Sequence, residues 1–237
     1  MLRIKNWDNK TWISSAKYIK SFNTFLLKKK KLNKYSKILD IGCGRGKIAG
    51  MLSSKLKLIN KPIGVDIETH KDLDKRIIFK KINAIKFFEN SNRKFDLILI
   101  KQTIHFFKNS EIKKLLKFVY ARLNNGGVVL ILSLNQKNNE IPTFPLMAKK
   151  LQISFNKEII LRKNILKFMK KKTISQFTFK VSIKKSFYLT MIKKRYISTL
   201  SNLNNKQISR GVKQIDSKYK NNITFSDKLN CIMFKKN

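Results

Sequence analysis

Three of the chain's eight glycines fall within five residues, Gly42-Cys43-Gly44-Arg45-Gly46, directly after the short apolar run Lys37-Ile38-Leu39-Asp40-Ile41. Helical periodicity resumes at once, over residues 47–58. A buried strand, a glycine turn and a helix in that order let backbone approach a ligand closely and aim the helix N-terminus at it.

The same rhythm continues downstream. Residues 62–67 and 77–82 read as further strands, and 95–100 is a continuous apolar run, as in a strand buried on both faces of a parallel sheet. Residues 111–123 carry helical spacing, Asn124-Asn125-Gly126-Gly127 stops that helix, and 128–134 is a fifth strand. Upstream, Trp12, Ala16, Ile19, Phe22, Phe25 and Leu26 mark one face of a helix over 11–31. Alternating strands and helices imply a right-handed parallel α/β sheet with helices on both faces. Beyond residue 135 the pattern loosens. Helices are expected at 146–155 and 158–169, strands at 177–183 and 229–234, and helix over 187–219 with a polar break at 202–205. We therefore expect one domain over 1–237: a helical lid (1–34), a ligand-binding core (35–135), and a final third (136–237) that completes the sheet and adds a helical cap.

Composition excludes several classes. With 54 Lys+Arg against 13 Asp+Glu the formal charge is +41, which points toward nucleic acid or an anionic membrane surface. Only eight of those basic residues are Arg, however, and Lys, Asn and Ile, all spelled by A/T-rich codons, supply 100 of the 237 residues. Lys also spreads through every segment. Base composition therefore accounts for much of the excess, and a polyanion-binding surface stays open beside it. Two cysteines, Cys43 and Cys231, cannot build a disulfide framework. The N-terminus lacks the apolar core of a signal peptide, and no apolar run reaches the ~18 residues of a membrane span. His70 and His105 are the only imidazoles, with no zinc-type spacing. The expectation is a cytoplasmic protein without a metal.

Three nucleotide-binding readings compete for the glycine cluster. A phosphate-binding loop needs Ser or Thr after its Lys, but Lys47 is followed by Ile48. The dinucleotide fingerprint needs its third glycine at residue 47, which is Lys. What remains is Asp40-x-Gly42-x-Gly44-x-Gly46. Taken singly, Asp40 could cap the helix and Asp66 could be a turn residue.

ILDIGCGRGKIA resembles the first motif of the class I S-adenosylmethionine-dependent methyltransferases. Later segments match in order: Asp66 in GVDIE, Asn83-Ala84 where the family usually has Asp-Ala, FDLILIKQTIHFF, and LNNGGVVLILS. The resemblance covers roughly residues 35–135. It implies a Rossmann-like, doubly wound, mostly parallel seven-stranded sheet, with S-adenosyl-L-methionine as cofactor. It further implies that Gly42, Cys43, Gly44 and Gly46 make room for the methionine and ribose, and that Asp40 meets the cofactor's ammonium. Asp66 would accept bonds from the ribose hydroxyls, Ile67 would pack on adenine, and Asn83-Ala84 would lie at its exocyclic amine. Cys43 is otherwise a small filler, not a nucleophile.

Methyl transfer from a sulfonium is an in-line displacement, so the protein chiefly aligns the nucleophile, excludes water and takes a proton where one must leave. His105, just past the fourth strand, is the candidate base, with a rim histidine as the plain alternative. Lys101 and Gln102 share that edge and are candidates for touching cofactor or substrate. The Asn/Asp-Pro-Pro-Phe/Tyr signature of amino-group methylation is absent, the stretch being Lys101-Gln102-Thr103-Ile104. That favours a small-molecule acceptor, with RNA or ribosomal protein as the alternative. Trp7 as part of a lid and Tyr188, Arg195 and Tyr196 in the cap are candidate substrate contacts, Arg195 as a carboxylate clamp. No segment specifies an oligomer.

Overall fold

A computed structural model describes residues 11–169 and 172–237. Its centre is a seven-stranded sheet in the order β3-β2-β1-β4-β5-β7-β6. The strands are β1 (Ile38–Ile41), β2 (Ile63–Asp66), β3 (Ile78–Lys81), β4 (Phe95–Lys101), β5 (Leu123–Leu134), β6 (Lys172–Lys184) and β7 (Asn222–Lys235). β1 to β5 pair in parallel, while β7 runs antiparallel to both β5 and β6. The strand order reverses between β1 and β4, so the connections leaving their carboxyl ends part to opposite sides, where open sheets of this kind bind ligands.

Seven α-helices lie among the described residues: α1 (Ala16–Lys29), α2 (Lys47–Leu56), α3 (Ala84–Glu89), α4 (Asn109–Ala121), α5 (Pro145–Phe168), α6 (Lys185–Lys193) and α7 (Asn205–Lys218). Strand alternation sorts the core into two layers. Ile38, Leu97, Leu99, Leu130 and Leu132 face a layer built with α1, α2, α6, α7 and the start of α5. Leu39, Ile41, Ile98, Ile100 and Ile131 face α3, α4 and the second half of α5. The first layer joins Tyr18 and Phe22 near one terminus to Phe225 and Leu229 near the other.

Several elements differ from the sequence expectation. The two helices expected at 146–155 and 158–169 are one, α5, continuous through the polar residues at 156–158 because Glu158 sits on its buried face with Leu151, Phe155, Leu161 and Ile165. The expected break at 202–205 is wider: α6 ends at Lys193, Arg195 adopts φ +54°, and α7 starts at Asn205 with a reciprocal Asn204/Gln207 capping box. The strands of the final third extend well beyond 177–183 and 229–234, since they pair with each other along thirteen positions. Asn124 to Gly127 do not cap α4, which ends at Ala121. They form an irregular entry to β5, where the register shifts between Phe95 and Leu97. No helix among the described residues is long and apolar enough to cross a membrane.

Candidate active site

The turn after β1 is built from left-handed backbone at Gly42 (φ +68°), Gly44 (φ +54°) and Gly46 (φ +70°). At Gly42 a side chain is barred twice over, because an ideal Cβ would also fall 2.1 Å from Thr103 Oγ1. The turn is pinned to the end of β2. Gly42 N–H donates to Val65 O at 2.8 Å, and Gly44 N–H donates to Asp66 Oδ2 at 2.8 Å. Asp66 Oδ1 accepts from Glu68 N–H at 3.0 Å. Turn and carboxylate therefore face each other across the edge of the sheet. Burial raises the pKa of Asp66, and the Gly44 bond opposes that rise. The neighbouring Ile67 is 51% exposed, an apolar surface set beside a carboxylate.

Asp40, the third residue of β1, is buried at 3% exposure. Loss of hydration pushes its pKa up to about 7, with Lys101 opposing the rise and Asp66 adding to it. The N-cap of α2 is Gly46, without a side-chain cap bond, so Asp40 does not serve as the helix cap. Lys101 closes β4. Its Nζ donates to Gln102 Oε1 at 2.8 Å and stands 5.2 Å from the Tyr18 ring centroid and 5.5 Å from that of Phe22. Burial lowers its pKa to about 8 against the pull of Asp227 and Asp40. Both members of the Asp40–Lys101 pair thus shift toward neutrality. Asp40 is a carboxylate short of cationic partners, which suits an incoming ammonium.

The other expected contacts divide. Asn83 is the N-cap of α3, its Oδ1 accepting from Ile85 N–H at 2.8 Å, and Ala84 is the buried first residue of that helix. The Cys43 side chain packs on β2, where a Cβ on Gly64 would fall 2.7 Å from its Sγ. Burial raises the thiol pKa, so it is a filler and no nucleophile. Gln102 takes φ +51° as the chain leaves β4. His105 lies in the one-turn helix Ile104–Phe106, its ring centroid 4.1 Å from that of Phe106 and its Nδ1 3.5 Å from Glu158 Oε1. Although a third of the side chain is exposed, lost hydration lowers its pKa to about 4, so the imidazole is neutral near pH 7.

The C-terminal candidates are occupied in holding the cap together. Tyr188 is fully buried and its hydroxyl donates to Pro142 O at 2.5 Å. Arg195 does not present a free clamp: its Nε donates to Leu203 O at 3.1 Å and its second guanidinium nitrogen to Asn205 Oδ1 at 2.7 Å, bridging α6 to α7. Tyr196 packs against the core layer that contains Tyr188. Trp7 lies outside the described residues.

Three residues at this edge went unread in the sequence. Thr103 packs on Gly42, its Oγ1 donating to Lys101 O at 3.0 Å. Asp227 is 1% exposed; its Oδ2 accepts from Trp12 Nε1–H at 2.9 Å, and burial raises its pKa while the Trp12 bond, Lys101 and the Tyr18 hydroxyl oppose the rise. Glu158 approaches His105. For the two acids a signal exists, since Asp227 continues the inward series Ile223, Phe225, Leu229 and Cys231 of β7, and Glu158 lies on the apolar face of α5. An acid in an apolar register is costly unless it is paired or used.

A family model described as a methyltransferase domain matches residues 13–159. No curated protein sequence matches the chain significantly. Among solved structures, a SAM-dependent methyltransferase from Archaeoglobus fulgidus superposes with a TM-score of 0.52 at 18% identity, over 92% of this chain and 94% of that one. The plantazolicin methyltransferase BpumL, in complex with SAH (S-adenosylhomocysteine), gives 0.55 at 18% identity, over 98% and 88%. A putative methyltransferase from Bacillus halodurans gives 0.55 at 12% identity, over 91% and 99%. At such identities the superpositions speak for the fold, and the family match carries the assignment: this chain belongs to the class I S-adenosylmethionine-dependent methyltransferases.

Proposed function

We propose that the protein transfers a methyl group from S-adenosyl-L-methionine to a small-molecule acceptor. The observation that carries this reading is the 2.8 Å bond from Gly44 N–H to Asp66, which sets a glycine-lined turn and a carboxylate on two sides of one edge. The donor set fits the cofactor. Asp40 lacks full charge compensation and would take the ammonium, Asp66 retains lone pairs for the ribose hydroxyls, and exposed Ile67 would cover adenine. When bound, the cofactor supplies an activated methyl on a sulfonium leaving group. The chain's own work is to hold the acceptor in line, keep water out and receive a proton, the last at His105, which stands just past the end of β4. Lys101 and Gln102 line the edge between these groups. Asn83 and Ala84 would border the adenine, with Asn83 Oδ1 shared with its capping duty.

The small-molecule reading draws support from Lys101-Gln102-Thr103-Ile104 standing where amino-group enzymes carry their Pro-Pro signature. BpumL, bound to desmethylPZN analogs and SAH, shares the fold. An RNA acceptor is the second reading, favoured by the +41 charge. The test is incubation with methyl-labelled cofactor and fractionated cell extract. Label in a metabolite fraction supports the first reading, label in RNA or ribosomal protein the second, and label in none of them rejects both.

A further inference from the structure

A polar chain of side chains runs along the rim and ends on His105. Asn135 Nδ2 donates to Asn230 Oδ1 at 3.2 Å, and Asn230 Nδ2 donates to Gln136 Oε1 at 3.4 Å. Gln136 Nε2 then donates to Glu158 Oε2 at 3.0 Å. The remaining carboxylate oxygen, Oε1, stands 3.5 Å from His105 Nδ1. Glu158 is the only acidic residue of α5 and lies on its buried face, where burial raises its pKa and the Gln136 bond opposes the rise. Placing a carboxylate in such a stripe is expensive, and this one directs each oxygen at a separate polar partner. It gains nothing as helix packing that a leucine would not supply better.

We propose that Glu158 is a positioning residue, holding His105 as the Nδ1–H tautomer so that Nε2 is left to accept the proton of the methyl acceptor. The inference rests on the reading of His105 as the base. A neutral imidazole has one donor and one acceptor nitrogen, and the partner of one fixes the other. With Nδ1 facing a carboxylate, Nε2 becomes the acceptor. The separation of 3.5 Å exceeds a normal hydrogen bond, and such contacts tighten when substrate closes a site. Gln136, anchored through Asn230, sets the carboxylate's rotation. The arrangement also narrows the acceptor. As the nucleophile's bond to the methyl carbon forms, the sulfonium–methyl bond breaks with its electron pair staying on sulfur, and the nucleophile's proton passes to Nε2. The acceptor atom therefore bears a proton, as in an alcohol, phenol or primary or secondary amine, and is not a thioether or tertiary amine.

The chain has only two histidines, so the ring nitrogens of His70 and His105 are separable in spectra of 15N-histidine-labelled protein. At pH 7.5 wild-type His105 should show a protonated Nδ1 and a bare Nε2. Glu158→Leu should move it to a tautomer mixture or to Nε2–H, and Glu158→Gln, whose carbonyl accepts from Gln136 and so turns its amide N–H toward Nδ1, should give Nε2–H. Unchanged His70 signals report that the variants are folded. Should Glu158→Leu not fold, Gln136→Leu, which frees the carboxylate, should give a partial shift in the same direction. Wild-type His105 protonated on Nε2, or a pattern indifferent to Glu158→Leu, overturns the proposal. Calorimetric titration of the wild type with S-adenosylhomocysteine runs beside it: absence of binding overturns the functional reading, whereas the tautomer decides the positioning role independently.

Discussion

Burial pushes the pKa of Asp40 up to about 7 against the pull of Lys101, and the ammonium-binding role proposed for Asp40 couples that ionisation to cofactor binding. Ammonium binding needs the charged form, and S-adenosylhomocysteine should bind about tenfold more weakly at pH 6 than at pH 8, with Asp40→Asn weak and flat across that range. Calorimetry at several pH values checks this; a flat wild-type profile removes Asp40 from the site. The same shift has a consequence for the ligand-free protein. A carboxyl whose folded pKa lies above its unfolded value binds more protons folded than unfolded between about pH 4 and 7. This group's contribution therefore falls as pH rises through that window. Asp40 and the glycines are legible in the sequence because one turn of backbone sets their spacing, and Asp66 because it ends the next apolar strand. Glu158 and Asp227 show in the sequence only as acids in apolar registers, because their partners, His105 and Trp12, come from elements over 50 and over 200 residues away. Arg195 misleads for the opposite reason: a scarce arginine in a cap draws notice as a clamp, while its hydrogen bonds close the link between two helices.

At the scale of elements, Trp12 ties the start of the described chain to the last strand, its Nε1–H bonding Asp227 and its indole edge-on to Phe225 at 5.0 Å. Trp12→Phe keeps an aromatic ring but removes the indole N–H that the buried carboxylate accepts from. It should cost about 1–3 kcal/mol, a fall of a few degrees in Tm. An unchanged Tm would show that Asp227 finds another partner. α7 packs on the start of α5 through Gly211, where an added Cβ would fall 2.5 Å from the buried Phe144 ring. Gly211→Ala should therefore destabilise by about 1–3 kcal/mol through overpacking, outweighing the roughly 1 kcal/mol by which Ala is the better helix former. Thermal unfolding decides the sign. β1, β2 and β4 were readable because buried parallel strands are short apolar runs. The sequence divides α5 because residues 156–158 look like a break, whereas tertiary packing carries the helix through them. The full length of β6 and β7 escaped notice because pairing with each other, not hydrophobicity, sets their ends.

For the whole molecule, +41 over 237 residues is a self-repelling charge. Raising salt from low to about 0.5 M should raise Tm, since screening relieves more repulsion than it removes attraction in the few surface ion pairs. A Tm that falls would make those pairs the dominant electrostatic effect. Strand rhythm and the glycine turn specify the architecture and the proposed cofactor side, while the proposed acceptor side depends on the α5–β5–β7 rim that only tertiary structure assembles. The central claim, a nucleoside pocket between the glycine turn and the tip of β2, is tested most directly by calorimetric titration of wild-type and Asp66→Ala protein with S-adenosylhomocysteine. The wild type should bind at one site. The variant, losing a pair of charge-assisted bonds worth about 1.5–3 kcal/mol, should bind at least about tenfold more weakly while keeping its fold. Equal affinity in the two proteins, or no binding to either, would contradict the account.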